Sequence, residues 1–251
     1  MTVAAATSSP RLTGRRLLVT GASSGIGRAI ATAAAEEGAS LALLARSEQD
    51  LRDLAEVLPG EHVVVPCDVR DLDAAAAAVE TAADALGGLD GVVNSAGVVR
   101  PEDILEADPE GWRAMFEVNV LGLLAVTKAA VARMGSDGGD VVLVSSMSGR
   151  RRTSTTMSVY AATKHAVHVI GDGLRAECKD RGIRVLTLSP GFVATPIFET
   201  GEHDTQHTDE LSATANEVGL PPEVVAQQVV HALAQPGDVQ LLEIAMTSMA
   251  Q

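Results

Sequence analysis

Tyr160 and Lys164 stand four positions apart in Tyr160-Ala-Ala-Thr-Lys164, so on a helix both side chains leave the same face. A tyrosine hydroxyl keeps its proton up to about pH 10 and is a poor proton shuttle at neutrality, but an ammonium beside it favours the phenolate and is expected to lower that value. Ser146 adds a hydroxyl that can hydrogen-bond a carbonyl oxygen on which negative charge is growing. Met147, Ser148 and Met157 lie close by in sequence and are candidates to line the same pocket. The chemistry suggested is protonation and deprotonation of an oxygen.

A second chemical signal comes early: Thr20-Gly21-Ala22-Ser23-Ser24-Gly25-Ile26-Gly27-Arg28, between an apolar run and an alanine-rich stretch. The glycines let backbone approach a pyrophosphate closely, and a helix beginning here offers free N–H groups with a favourable dipole. The same residues satisfy G-x-S-x-G, the turn that presents a hydrolase serine, here Ser23. That reading needs an earlier strand and loop to supply oxyanion donors, and none precedes this strand. No Gly-Lys-Ser/Thr follows, so a nucleoside triphosphatase is unsupported. His203 and His207 have a spacing that could hold a metal on a helix, but the glutamate of H-E-x-x-H is missing; no metal site is expected.

These residues need elements to position them. Short apolar runs at 16–20, 41–45, 62–66, 91–94, 141–145, 183–188 and 239–244 alternate with helical patterns at about 25–37, 48–58, 71–86, 109–134, 160–181 and 222–234. Val141-Val142-Leu143-Val144 is apolar without alternation, as in a strand covered on both faces. The fold class expected is α/β: a single Rossmann-type doubly wound parallel sheet of about seven strands with helices on both faces. We read residues 1–11 as a flexible leader and 12–251 as one domain. Residues 196–220 form a polar excursion without a strand, and a substrate lid is expected at about 192–220.

With Asp68 and Val69 after the third strand, Asn94-Ser95-Ala96-Gly97 ending the fourth, Asn119 in Val118-Asn119-Val120, Ser146 ending the fifth and Pro190-Gly191 through Thr195 after the sixth, the sequence resembles the short-chain dehydrogenase/reductase family from about residue 12 to 239. It departs in having Ser95 where the family usually has a second Asn, and in spacing Ser146 one residue farther from Tyr160 than usual. The resemblance implies a hydride-transferring oxidoreductase with Asn119, Ser146, Tyr160 and Lys164 catalytic, Asn119 holding a water beside Lys164, and Lys164 also bonding the nicotinamide ribose. It implies a cofactor site made by Gly21, Ser23, Ser24, Gly25, Ile26, Gly27, Arg46, Asp68, Val69, Asn94, Ala96, Gly97, Tyr160, Lys164, Pro190, Gly191, Val193 and Thr195. Substrate is expected against Ser146, Met147, Ser148, Met157, Tyr160, Phe192 and Phe198, with Val98 and Val99. It also implies a homodimer or homotetramer paired through the helices at 109–134 and 160–181.

NAD-using relatives carry an acidic residue where the second strand ends, bonding both adenosine ribose hydroxyls. Here that place falls to Ala45, and Arg46 follows, whose guanidinium can pair with a 2′-phosphate; Ser23 or Ser24 can add a hydroxyl. The expected cofactor is therefore NADP(H), and the expected function a carbonyl reductase acting between ketones and secondary alcohols. A catalytically idle nucleotide-binding sensor or scaffold of the same fold is the alternative.

The formal charge of −14 repels phosphate backbones, so no nucleic-acid partner is expected; Arg150-Arg151-Arg152 reads as a solvated loop. No run approaches the ~18 uninterrupted apolar residues of a membrane helix, and no membrane partner is expected. Cys67 and Cys178 lie far apart without a secretory pattern, which points to a reducing, cytoplasmic setting.

Overall fold

A computed structural model describes residues 10–151, 154–199 and 206–251. Strands β1 (Arg16–Thr20), β2 (Ser40–Ala45), β3 (Val63–Pro66), β4 (Gly91–Asn94), β5 (Gly139–Val144), β6 (Ile183–Pro190) and β7 (Glu243–Met246) form one parallel sheet in the order β3-β2-β1-β4-β5-β6-β7. The order reverses between β1 and β4, and the carboxyl ends on either side of such a switch leave the crevice in which α/β sheets bind ligands.

Helices cover both faces. On one lie α1 (Gly25–Glu36), α2 (Glu48–Val57) and α8 (Pro222–Leu233), where Ile30, Ala34, Leu51, Leu54, Val225 and Val229 meet Leu17, Val19, Leu41 and Leu43 of the sheet. On the other lie α3 (Leu72–Leu86), α5 (Leu123–Arg133) and α6 (Ser158–Cys178), packed through Ala75, Val79, Ala82, Val126, Ala130 and Val167 onto Leu18, Ala42, Val92 and Leu143. Alternate residues of each strand thus enter opposite cores, which is why the strands read as continuous apolar runs. Alanine fills the helix faces and brings the helices close to the sheet, so few aromatics are needed.

Turn chemistry fixes the boundaries. Ser47 caps α2 by accepting from Asp50 N at 3.3 Å, Asp71 caps α3 by accepting from Ala74 N at 3.0 Å, and Gly87 ends α3 in the left-handed region at φ 74°.

The structure departs from the expected elements in three places. The single helix expected over 109–134 is α4 (Pro109–Phe116), a π-helical stretch (Glu117–Gly122) and α5. The last strand is 243–246 instead of 239–244. It pairs with β6 from Thr187↔Glu243 to Pro190↔Met246, and its apolar lead-in, Val239 to Leu242, is loop. The excursion contains a helix, α7 (Gln206–Val218). The expected leader falls mostly outside the described residues, but Arg11 at its end is tied to Glu37 through contacts of 2.6–2.9 Å. Arg152, His203 and Asp204 lie outside the described residues, and among those described no group of three metal-ligating side chains occurs.

Pro109–Arg133 is long and apolar enough to span a membrane by length and composition, with mean hydropathy 1.6. Half of that window is buried within the fold, as for a core helix, and its Val118, Leu123 and Val126 belong to the core under the sheet.

Candidate active site

At the switch point the β1 and β4 ends are pressed together. Thr20 Oγ1 accepts from Ser95 N and Ala96 N, each at 3.0 Å. A Cβ on Gly21 would lie 2.9 Å from the Ala96 backbone, and one on Gly27 only 2.2 Å from Gly21 O, so the loop admits no side chain at either position. Ala22 N donates to Leu44 O at 3.2 Å, which straps the loop to the end of β2. Ser24, at the start of α1, makes no side-chain cap, leaving the first N–H groups of that helix open to a ligand.

Tyr160 and Lys164 project from α6, 8% and 5% exposed. Lys164 Nζ donates to Val144 O at 2.9 Å and lies 5.7 Å from the centre of the Tyr160 ring, while the backbone O of Lys164 accepts from Ser145 Oγ at 3.0 Å. The Tyr160 hydroxyl shares a hydrogen bond with Ser146, whose Oγ also accepts from Ser148 N at 3.1 Å. Asn119 sits in the π-helical stretch. Its Oδ1 accepts from Val98 N at 2.9 Å, and its Nδ2 donates to Val98 O at 2.9 Å and Thr163 Oγ1 at 3.1 Å. Gly97 lies beside both groups: a Cβ there would lie 3.4 Å from Asn119 Oδ1 and 3.6 Å from Lys164 Nζ, in ordinary contact with each.

Burial dominates the titration of the pair. It pushes the Tyr160 hydroxyl up to about 12, only partly opposed by the bond with Ser146. It pulls Lys164 down to about 8. The lowering of Tyr160 expected from Lys164 is therefore corrected: the low-dielectric site penalises the phenolate and the ammonium alike, and the ammonium is directed to a backbone carbonyl.

One cavity of about 590 Å³ runs from the glycine loop to the lid region. Among the residues expected from sequence, its walls include Gly21, Ser24, Gly25, Ile26 and Gly27 of the loop, Ala96 and Gly97 after β4, and Pro190, Gly191, Phe192, Val193 and Thr195 after β6. Ser146, Met147, Ser148, Met157, Tyr160, Lys164 and Phe198 line it too, with Val99. Val98 does not, but its backbone anchors Asn119. Asn119 does not line it either, but bonds Thr163, the residue before Lys164. Asn94 is buried and donates to Thr127 at 3.0 Å, holding β4 to α5. Val69 packs against the π-helical stretch, where a Cβ on Gly122 would come within 2.9 Å of its Cγ2.

Ser23, Arg46 and Asp68 lie outside the cavity, beyond the ends of β1, β2 and β3. For Asp68 burial would raise the carboxyl, yet hydrogen bonds from Arg70, with a smaller contribution from the charge of Arg46, hold it below its usual range. Of the arginine loop, Arg151 lines the cavity, whereas Arg150 pairs with Glu243 at 2.7 Å.

Sequence reasoning missed the wall residues Thr247, Ala250 and Gln251 after β7, and it covered Leu211, Thr214 and Val218 of α7 only as part of the lid expected at about 192–220, without singling them out. The spacing Leu211, Ala215, Val218 was the available signal for α7, one narrow apolar stripe on a polar helix. Ala215 and Phe198 join Val99, Met115, Met157 and Tyr160 in a third apolar cluster over the site, and Phe192 faces Phe198 with ring centres 6.4 Å apart.

Residues 15–206 match the family model described as short chain dehydrogenase. An uncharacterized oxidoreductase of Staphylococcus aureus (strain MRSA252) is 37% identical over 235 residues, spanning 93% of this chain and 96% of the relative. Among solved structures, a short chain dehydrogenase from Burkholderia cenocepacia J2315 in complex with NADP superposes with a TM-score of 0.84 at 30% identity, covering 96% of this chain and 99% of that one. A short chain dehydrogenase/reductase from Burkholderia phymatum in complex with NAD gives 0.85 at 25% identity, covering 94% and 89%. With the motifs standing at the strand ends of a matching sheet, this chain belongs to the short-chain dehydrogenase family.

Proposed function

We propose that the protein is an NADPH-dependent carbonyl reductase that interconverts small ketones and secondary alcohols. The observation that carries this reading is the hydrogen-bonded pair of Ser146 and Tyr160 in the cavity wall, backed by Lys164 and joined by one continuous cavity to a glycine loop without room for side chains. The loop fits a dinucleotide: its backbone can lie against a pyrophosphate and the open N–H groups of α1 point to the same place. A bound nicotinamide dinucleotide supplies or accepts the hydride. NADP in the B. cenocepacia relative supports the cofactor class, as does NAD in that from B. phymatum; the choice of NADPH rests on Ala45 and Arg46.

The chain's own residues then have separable tasks. Ser146 hydrogen-bonds the carbonyl oxygen and orients it beside Tyr160. In the reducing direction the raised value of the Tyr160 hydroxyl is useful: the proton stays in place at neutral pH and moves only when the substrate oxygen has become a stronger base. Below about pH 8 Lys164 is cationic and stabilises the phenolate that remains. Asn119 holds the Val98 backbone and Thr163 fixed beside this pair. Met147, Met157, Phe192 and Phe198 give an apolar wall suited to the flanks of a ketone.

The idle-scaffold alternative is disfavoured by the intact set Asn119, Ser146, Tyr160 and Lys164. We also propose self-association, supported by the exposed Phe116 (41%), Leu121 (45%) and Val169 (71%) on α4, the π-helical stretch and α6. The two free cysteines support a reducing, cytoplasmic setting.

The decisive experiment replaces Tyr160 with Phe and follows NADPH oxidation with a ketone that the wild type reduces. The ring still packs and only the transferable proton is lost, so kcat is expected to fall by about 100-fold or more with an unchanged melting temperature. Turnover near the wild-type rate in the folded variant would sink the mechanism.

A further inference from the structure

After β7 the chain turns back over the cavity rim, and the Gln251 carboxamide meets the Phe192 peptide with both of its polar atoms. Gln251 Oε1 accepts from Phe192 N at 2.8 Å, and Nε2 donates to Phe192 O at 3.1 Å and Val218 O at 3.4 Å. Val218 ends α7, and Ser248 Oγ donates to the same carbonyl. Phe192 O also accepts from Leu220 N at 2.8 Å, and Ala194 N donates to Leu220 O at 3.0 Å, so the segment after β6 is held between the exit of α7 and residues 247–251. Gly191 is shaped by this contact: a Cβ there would lie 2.1 Å from Gln251 Oε1 and 3.0 Å from Thr247 Cγ2. Gln251 and Val218 both line the cavity of the proposed active site.

We infer that Gln251 is a positioning residue for substrate binding, joining Phe192 to the end of α7 and so fixing the separation of two walls of the cavity. Its effect on kinetics rests on the carbonyl reductase reading; the contact itself does not. None of its bonds is to Tyr160 or Ser146. Substrate binds the fraction of molecules in which α7 is seated against Phe192, so loosening the link lowers apparent affinity by that fraction and leaves proton transfer in the bound state as it was. Loss of these three neutral hydrogen bonds corresponds to about a tenfold rise in KM, with kcat held within about twofold.

The test compares wild type, Gln251→Ala and Gln251→Glu by amide hydrogen exchange on the protein alone and by steady-state kinetics with a ketone that the wild type reduces. Faster exchange at Phe192 and through α7 is expected in Gln251→Ala. Gln251→Glu keeps an acceptor for Phe192 N but has nothing to donate, so Phe192 should stay protected while the end of α7 loosens; KM should rise in both. Unchanged exchange over 192 and 206–220 in Gln251→Ala would overturn the inference, as would a fall in kcat at constant KM. Should the wild type reduce no ketone, the proposed activity fails, and the exchange data still decide whether Gln251 seats α7.

Discussion

Lys164 has its charge in the wrong solvent, and that has a measurable cost. Its value is about 8 in the folded protein against 10.5 for an ordinary lysine. Below pH 8 both folded and unfolded chains carry the proton and the folded state bears the whole burial penalty; between 8 and 10.5 the unfolded chain binds more protons, so stability rises with pH. Tyr160 acts in the opposite sense only above 10, where the unfolded chain loses its proton first. Chemical denaturation of wild type and Lys164→Met should therefore show the advantage of the methionine variant shrinking by roughly 2–3 kcal/mol between pH 7 and pH 10, the tyrosine contribution cancelling in the difference. A constant difference would mean that Lys164 is not held in a low-dielectric site. The sequence showed that Tyr160 and Lys164 share a helix face. It did not show the direction of the tyrosine shift, because that depends on how much water the packed site admits and on the amine turning to Val144 O.

At the scale of elements, the proposed choice of NADPH is tested at the end of β2. Ala45 closes the strand nearly buried, and exposed Arg46 follows, near enough to contribute to the electrostatics of Asp68. A carboxylate that would repel a 2′-phosphate is missing from the strand end, and a guanidinium that can pair with one is present. Wild-type kcat/KM should favour NADPH over NADH by about ten- to a hundredfold, the worth of one charge-assisted phosphate bond, and Ala45→Asp with Arg46→Ala should reverse the order. Equal values for the two cofactors in the wild type would remove Arg46 as the discriminator. The central strands, and β2 with them, were legible because both faces are covered and their residues run apolar without a break. Two elements were not. β7 is an edge strand with exposed Glu243 and Ala245, while the more apolar Leu241 and Leu242 just before it lie outside the strand. Helix α7 shows the cavity only one narrow stripe, and a polar helix of that kind reads as loop. The role of Gln251 left no local trace at all, since its partners at Phe192 and Val218 are close only in the folded chain.

For the whole molecule, apolar surface remains after the two cores are filled. Phe116, Leu121, Leu124 and Val169 are 38–71% exposed on α4, the π-helical stretch, α5 and α6, the helices through which the family resemblance pairs two copies. Sedimentation at micromolar concentration should give a dimer or tetramer, and Leu121→Glu with Val169→Glu should shift it toward monomer. A wild-type monomer would count against association through these helices.

The strand order also governs how the chain can be made. β1 ends at residue 20 and lies between β2 and β4, but β4 comprises residues 91–94. As the polypeptide emerges, β1 can pair early with β2 on one side while its other edge keeps unpaired backbone groups and apolar side chains until β4 arrives, and every later pairing also spans a long crossover. An open, apolar parallel edge is a template for the wrong partner. Synthesis of the stretch between β2 and β4 is thus the interval in which the edge of β1 at residues 16–20 stands open to a wrong partner.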